Sequence, residues 1–321
     1  MAALIEARGL TKSFGTLRAV DGISLEVPRG QVLGFLGPNG AGKSTTMRLI
    51  TGFLDPDTGS VSIAGFDVRE QPKAAKQRLG YLPEGAPLYA EMTPKGLLTF
   101  VAELRGFRGE ALAGAVAKAV ERTGLRPVLH QTIETLSKGY KRRVGIAQAI
   151  LHEPEVLIMD EPTDGLDPNQ KHHVRELIAE MAKDKAIVVS THILEEVEAV
   201  CTRAVVINRG RIVADGTAED LMRLVPYHGA VTIRVAGDKA EAVRGALSAI
   251  AGIKEVETVG GAPNGQLQLR AIPRNGAGIV ADVASAIRQK ALAVDEIFVE
   301  RGKLDDVFRQ ITSSDLDDRN A

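Results

Sequence analysis

One stretch constrains what this chain can fold into more than any other. Gly37-Pro38-Asn39-Gly40-Ala41-Gly42-Lys43-Ser44-Thr45 is a full match to the G-x-x-x-x-G-K-[ST] phosphate-binding pattern. The apolar run Val32, Leu33, Phe35, Leu36 before it reads as a buried strand, and Thr45 to Ile50 after it reads as a helix stopped by Gly52. Glycines at 37, 40 and 42 let successive backbone N–H groups turn inward on a polyphosphate, while the new helix aims its positive end at the same charge. Lys43 is placed to reach the outer phosphates, and Ser44 puts a hydroxyl where a bridging Mg²⁺ would sit. A glycine-rich surface turn would need neither Lys43-Ser44 nor a strand and a helix on its two sides.

The rest of the chain must accommodate that loop. Its 321 residues suggest two domains, and a formal net charge of −1 gives no general reason to expect a nucleic-acid partner. The single cysteine, Cys201, lies among Val197, Val200, Val205 and Val206 and reads as a small core residue. No apolar run approaches the roughly 18 to 20 residues of a membrane span, and Met1 to Glu6 lacks the basic start and apolar block of a signal peptide. The expected location is cytoplasmic, with any link to a membrane made through a partner.

Residues 4 to 27 alternate apolar and polar positions around turns at Gly15 and Pro28-Arg29-Gly30, as antiparallel strands do. Phe14, beside the first turn, is either a core aromatic or a ring offered to a purine. Leu79 to Leu82 reads as a strand leading to Glu84, and Thr93 to about Gly124 as a helical block. A further helix follows Leu136-Ser137-Lys138-Gly139. Ser137 and the N–H groups around Gly139 then form either a plain N-cap or an anion site. The continuous apolar run Val156 to Met159 reads as a strand buried on both faces of a parallel sheet, ending in Asp160-Glu161. Ligands bind at the carboxyl ends of such strands, where Asp160 would hold a Mg²⁺ shell and Glu161 would polarise an attacking water. Asp167 caps a helix that opens with Pro168, and the strand Ala186 to Thr191 delivers His192 to the same sheet edge. There a hydrogen bond from His192 to a terminal phosphate is expected.

A hairpin over 204 to 216, a short helix and the linker Pro226-Tyr227-His228-Gly229 close this first part. Beyond it the pattern restarts as β-α-β-β-α-β, the order of a ferredoxin-like split βαβ unit, which names no function. The expected organisation is a first domain over 1–225, with a helical subdomain at about 85–152, and a C-terminal accessory domain over 226–313. A short helix from Leu304 to Phe308 closes the second domain, and a disordered tail over 314–321 follows.

With these motifs in order, residues 4 to about 222 resemble the ATP-binding cassette family of transport ATPases. The resemblance implies an α/β fold: a mainly parallel P-loop ATPase core with an antiparallel β subdomain and a helical subdomain. It implies ATP and Mg²⁺ as ligands. By that likeness Phe14 stacks on adenine, Gly37 to Thr45 is the Walker A loop and Glu84 stands at the Q-loop position. Leu136 to Tyr140 is the signature motif, Val156 to Glu161 the Walker B strand with the catalytic base, Asp167 the D-loop acid and His192 the switch histidine. Two motifs depart from the family pattern. Lys138 and Tyr140 replace a glycine and the glutamine of Leu-Ser-Gly-Gly-Gln, and Glu84 replaces the usual glutamine. Exporter-type cassettes resembling gliding-motility and copper-enzyme-maturation systems are similar at both places. The implied function is ATP hydrolysis driving a separate membrane permease, with two cassettes closing head to tail so that Ser137 and Gly139 cap the partner's nucleotide. Such a chain is peripheral to the inner face of the cell membrane. The alternative within the family, a soluble mechanochemical ATPase, usually carries tandem cassettes or long coiled-coil insertions, and neither occurs here. A P-loop GTPase should show Asn-Lys-x-Asp, which is absent.

Overall fold

The computed structural model describes residues 3–85, 87–262, 266–276 and 278–317. The chain divides into two compact units, Met1–Ala218 and Glu219–Ala321.

The first unit opens on the antiparallel pair β1 (Ala3–Phe14) and β2 (Leu17–Pro28), one face of which is wet, as the alternating sequence requires. β3 (Val32–Leu36), apolar throughout, is buried on both faces and runs through the glycine loop into α1 (Lys43–Ile50). β4 (Thr58–Ile63) and β5 (Phe66–Asp67) complete a sheet ordered β2-β1-β4-β5. After α2 (Pro72–Gln77) and β6 (Leu79–Leu82) comes the helical block, α3 (Pro94–Leu104) and α4 (Gly109–Arg122), joined to α5 (Lys138–Ile150). Thr93 starts α3 by accepting a hydrogen bond from the Gly96 N–H at 3.1 Å. Then follow β7 (Val156–Asp160), α6 (Pro168–Ala182), β8 (Ala186–Thr191), α7 (Leu194–Val200), β9 (Arg203–Asn208) and β10 (Arg211–Gly216).

The second sheet of this unit is ordered β10-β9-β3-β8-β7-β6, all parallel except the β9–β10 hairpin. Its register sets the site: Leu36 lies opposite Thr191, Asp160 opposite Ser190 and Leu82 opposite Met159. The four strands therefore end together, and the loops that follow them share one edge. Met47, Leu49 and Ile50 of α1 pack with Leu33, Phe35, Ile158 and Val188 on one face of the sheet. Ile146, Ile150, Val174, Leu177 and Ile178 from α5 and α6 cover the other. Each such side chain withdrawn from water contributes roughly 1.5 to 3 kcal/mol, so the loops rest on a sheet held from both sides.

The second unit contains α8 (Ala218–Met222) from Glu219 onward, β11 (Val231–Ala236), α9 (Ala240–Ser248), β12 (Ile253–Ala262), β13 (Gln266–Pro273), α10 (Val280–Gln289), β14 (Glu296–Val299) and α11 (Leu304–Asp317). The strands form one antiparallel sheet, β12-β13-β11-β14, with Val243, Leu247, Val283 and Ile287 of α9 and α10 in its core. This is the strand order of a split βαβ unit.

Two boundaries differ from the sequence reading. The division falls at 218/219, not 225/226, because the chain after Ala218 is tied to the C-terminal unit. The Met222 carbonyl lies so close to Gly302 that an added Cβ there would stand 2.2 Å from it, and the Tyr227 hydroxyl donates to Asp306. The closing helix is also longer than Leu304 to Phe308: it continues through 314–317, where a disordered tail was expected, since a helix already nucleated adds residues at little further cost. Positions 318–321, and 263–265 between β12 and β13, lie outside the described residues.

Candidate functional site

The glycine loop is wedged under two neighbouring strands. A Cβ on Gly37 would stand 2.4 Å from the Ile207 carbonyl oxygen, and one on Gly42 would stand 2.4 Å from that of Ala19. Gly42 also adopts φ 105°, which side chains disfavour. It occupies the N-cap of α1 with nothing to cap the helix, so the first-turn N–H groups are left for an external anion.

These groups face a cavity of about 450 Å³ whose floor is Asn39, Gly40, Gly42, Lys43, Ser44 and Thr45. Gly37, Pro38 and Ala41 do not line it; they form the underside of the loop. Phe14 and Leu17 stand on the opposite wall, 51% and 66% exposed. Exposure decides between the two readings of Phe14: its ring is a free apolar face beside the cavity and not a core residue. Glu84, Glu161 and His192 close the third side.

Lys43 is nearly buried, and its Nζ donates to the carbonyls of Gly37 at 2.6 Å and Pro38 at 3.1 Å. Burial lowers its pKa from the ordinary lysine value, against the pull of the Glu161, Asp160 and Glu84 carboxylates. Asp160 is 2% exposed and accepts from the Ser190 hydroxyl. Glu161 adopts φ 49°, rare for a residue with a side chain. Its N–H donates to the Ser190 backbone oxygen at 3.2 Å and hydroxyl at 3.0 Å, and its carbonyl accepts from Arg142 and from the Asp164 N–H, so this backbone is fixed from both ends. His192 lines the cavity as expected, but its Nδ1 sits 3.0 Å from Glu161 Oε1 and so pairs with the acid.

Among the described residues no three His, Cys, Asp or Glu side chains converge as a metal site. Mg²⁺ takes one or two protein oxygens and fills the remainder from phosphates and water, so the Ser44 hydroxyl on the cavity's floor and the carboxylate of Asp160, which is buried one residue before the cavity-lining Glu161, fit a cation that arrives with its nucleotide.

Ser137, Gly139 and Asp167 do not line this cavity. Ser137 and Asp167 are exposed N-caps, accepting from the N–H groups of Tyr140 and Gln170. Gly139 lies under Gln170, whose Oε1 would be 2.2 Å from an added Cβ. The two departures in this motif have local partners: Lys138 Nζ stands 3.6 Å from Asp164, and the Tyr140 ring lies under the Arg143 guanidinium. Cys201 packs partly buried against the core, and burial pushes its thiol up to about 12, as a structural cysteine requires.

Two residues escaped the sequence reading. Arg142, 6% exposed, donates to the carbonyls of Pro83 at 3.3 Å, Asp160 at 2.7 Å and Glu161, tying the loops after β6 and β7 to α5. Glu196, 4% exposed, accepts from Thr163 and, at 2.7 Å, from Thr191, joining the loop after β7 to the residue before His192. Arg142 stands in the run Lys141-Arg142-Arg143 and Glu196 beside Glu195, so each buried charge has meaning only once its helix is placed.

An uncapped helix behind a glycine loop, a lysine folded into that loop, and acids at the ends of adjacent parallel strands define a P-loop nucleoside triphosphatase. The family model for "ABC transporter" matches residues 20–164. The chain is 36% identical over 255 residues to the linearmycin resistance ATP-binding protein LnrL of Bacillus subtilis, covering 79% of this chain and 81% of that protein. It is 31% identical over 316 residues to the Nod factor export ATP-binding protein I of Ralstonia nicotianae, covering 98% and 95%. A solved structure described as an ATP binding subunit of an ABC transporter superposes with TM-score 0.64 at 33% identity, covering 69% of this chain and 92% of that one. The chain belongs to the ATP-binding cassette family of transporter ATPases, and its activity is ATP hydrolysis.

Proposed function

We propose that this chain powers export through a separate membrane permease, two copies closing head to tail on two ATP molecules at the inner face of the membrane. The observation that carries the reading is the incompleteness of the cavity. One chain brings Lys43, Ser44, Glu161 and His192 together but leaves Ser137, Gly139 and Asp167 outside the cavity. A second chain supplies what one lacks: Ser137 and the α5 N-terminus cap the partner's terminal phosphate, and Asp167 lies along the same seam.

In this reading Phe14 stacks on adenine and the loop N–H groups hold the phosphates. Lys43 exchanges its two carbonyl partners for β- and γ-phosphate oxygens. Ser44 and Asp160, with Glu84 nearby, would hold Mg²⁺, which would supply positive charge beside the transferred phosphoryl group. Glu161 orients and polarises the attacking water, and His192, already on its carboxylate, holds it in place and reaches the γ-phosphate as the site closes.

The permease contact is supported by a second groove of about 330 Å³, lined by Phe53, Tyr81, Val101 and Arg105. Phe53 is 75% exposed, and Leu104 on the neighbouring helix is 71% exposed, an apolar face suited to a membrane protein's cytoplasmic helix. Tyr81 faces this groove and Glu84 the nucleotide cavity, so β6 and the turn after it join the two directly. No helix among the described residues is long and apolar enough to cross a membrane. The relatives named for resistance and export support the exporter reading over the soluble mechanochemical one.

The test is the Glu161→Gln variant. It should bind Mg-ATP, fail to hydrolyse it and run as a dimer by light scattering, whereas Lys43→Ala stays monomeric. A Glu161→Gln protein that binds Mg-ATP and remains monomeric would sink the sandwich mechanism.

A further inference from the structure

The C-terminal unit has a cavity of its own, about 730 Å³. Arg223 and His228 reach it from one stretch, Lys254 from a second and Arg274 from a third, and among the described residues no acid lines it. In a chain of net charge −1 this is a local reversal of sign. Lys254 and Arg274 are brought together by the β12–β13 ladder, where Ile253 pairs with Pro273 and the Arg274 N–H donates to the Gly252 carbonyl at 2.8 Å. Among the described residues neither of these two cations has a carboxylate partner. Arg223, by contrast, is held 2.8 Å from Glu219. His228 Nδ1 accepts from the Gly302 N–H at 3.2 Å, which leaves its Nε2–H as a donor. Leu224, Pro226, Ile272 and Pro273 supply apolar wall.

A concave site with an apolar body and a few convergent cations is the form of a small-molecule pocket, and a guanidinium beside an ammonium suits phosphate. We propose that this cavity binds an amphiphilic organic phosphate, Lys254 and Arg274 taking the phosphate and the Leu224–Ile272–Pro273 wall taking its apolar body. The C-terminal unit is then a ligand-sensing module attached to the ATPase. Such a phosphate has two sources, a dissolved metabolite or the headgroup of a membrane lipid, and the same chemistry recognises both.

The experiment uses the full chain with Mg-ADP saturating the first cavity. Dihexanoyl phosphatidic acid, kept below its micelle concentration, is titrated calorimetrically into wild type and into a Lys254→Glu/Arg274→Glu double variant. Both substituted side chains are exposed and lie outside the ATPase unit, so basal hydrolysis should be unchanged. Wild type should bind one probe per chain, and the double variant should bind it about tenfold or more weakly, as loss of two charge-assisted contacts requires. Leu224→Asp should weaken the lipid probe while leaving inorganic phosphate unaffected. Co-sedimentation with vesicles of phosphatidic acid in phosphatidylcholine separates the sources: capture that the double variant loses assigns the site to the membrane, and its absence alongside soluble binding assigns it to a metabolite. No heat with wild type, or equal affinity in the double variant, overturns the proposal.

Discussion

Glu161 is held at three points: its backbone at φ 49°, its carbonyl by Arg142, and its carboxylate by His192 at 3.0 Å. That degree of constraint suits a group that must aim a water and not merely attract one. Glu84, exposed on the cavity's edge, has no such fixing, and this separates two acids that the sequence alone leaves comparable. Glu84→Gln is therefore expected to retain hydrolysis, because an amide oxygen can still approach metal and water. A collapse of phosphate release to the Lys43→Ala level would show that Glu84 is itself the base. Lys43→Ala should abolish turnover, since among the described residues no other lysine or arginine lines that cavity to meet the charge developing on the transferred phosphoryl group. A variant with near-normal phosphate release would remove Lys43 from the reaction.

At the scale of elements, the strands of the first unit were legible because burial on both faces leaves no polar position: β3, β7 and β8 are continuous apolar runs in sequence and wholly buried in the fold. Cap residues were legible from local sequence, as Ser137 and Asp167 show. What could not be read was which loops a helix ties together. Arg142 occurs in a run of three cations, Lys141-Arg142-Arg143, that reads as a solvated face, yet only the sheet's far edge explains why the middle one is buried. Arg142→Leu should deprive the carbonyls of Pro83, Asp160 and Glu161 of the Arg142 donor, leaving Glu161 only its Asp164 N–H, and lower stability by about 2 to 4 kcal/mol. It should also reduce kcat more than it raises KM, since Glu161 loses its fixed angle while the phosphate loop is untouched. Denaturant unfolding beside steady-state ATPase assays checks both, and a KM effect alone would reduce Arg142 to a packing role. Glu196→Ala, by freeing Thr163 and Thr191, should lower kcat similarly with nucleotide affinity kept, as measured by fluorescent-nucleotide titration.

For the whole molecule, the division of the chain depended on tertiary contacts that composition hides. Pro226-Tyr227-His228-Gly229 has the look of a linker, but Tyr227 and His228 bond into the C-terminal unit, and Leu221 and Val225 before them are buried. The two units keep separate cores. The apolar clusters around β3, around α6 and in the helical block draw only on residues before Ala218, and the cluster under β11 draws only on residues after it. Every lining residue of the ATP cavity likewise belongs to the first unit. Ending the chain at Ala218 should consequently give a folded ATPase core whose Mg-ATP affinity matches the full chain within about twofold, additivity being expected for parts that share no core. Ending it at Leu224 is the harsher cut, because it leaves α8 and its buried Leu221 without the segment that carries Gly302. The shorter product should then be the better behaved, with the higher melting temperature by calorimetry and the sharper transition. What it should lose is regulation: with a regulatory or dimer-stabilising C-terminal unit, the Glu161→Gln form of the 1–218 chain should bind Mg-ATP as before and dimerise more weakly, or respond differently to the permease. A folded 1–218 protein that no longer binds Mg-ATP would mean that the second unit completes the nucleotide site, and the separation of roles argued from the two cores would fail.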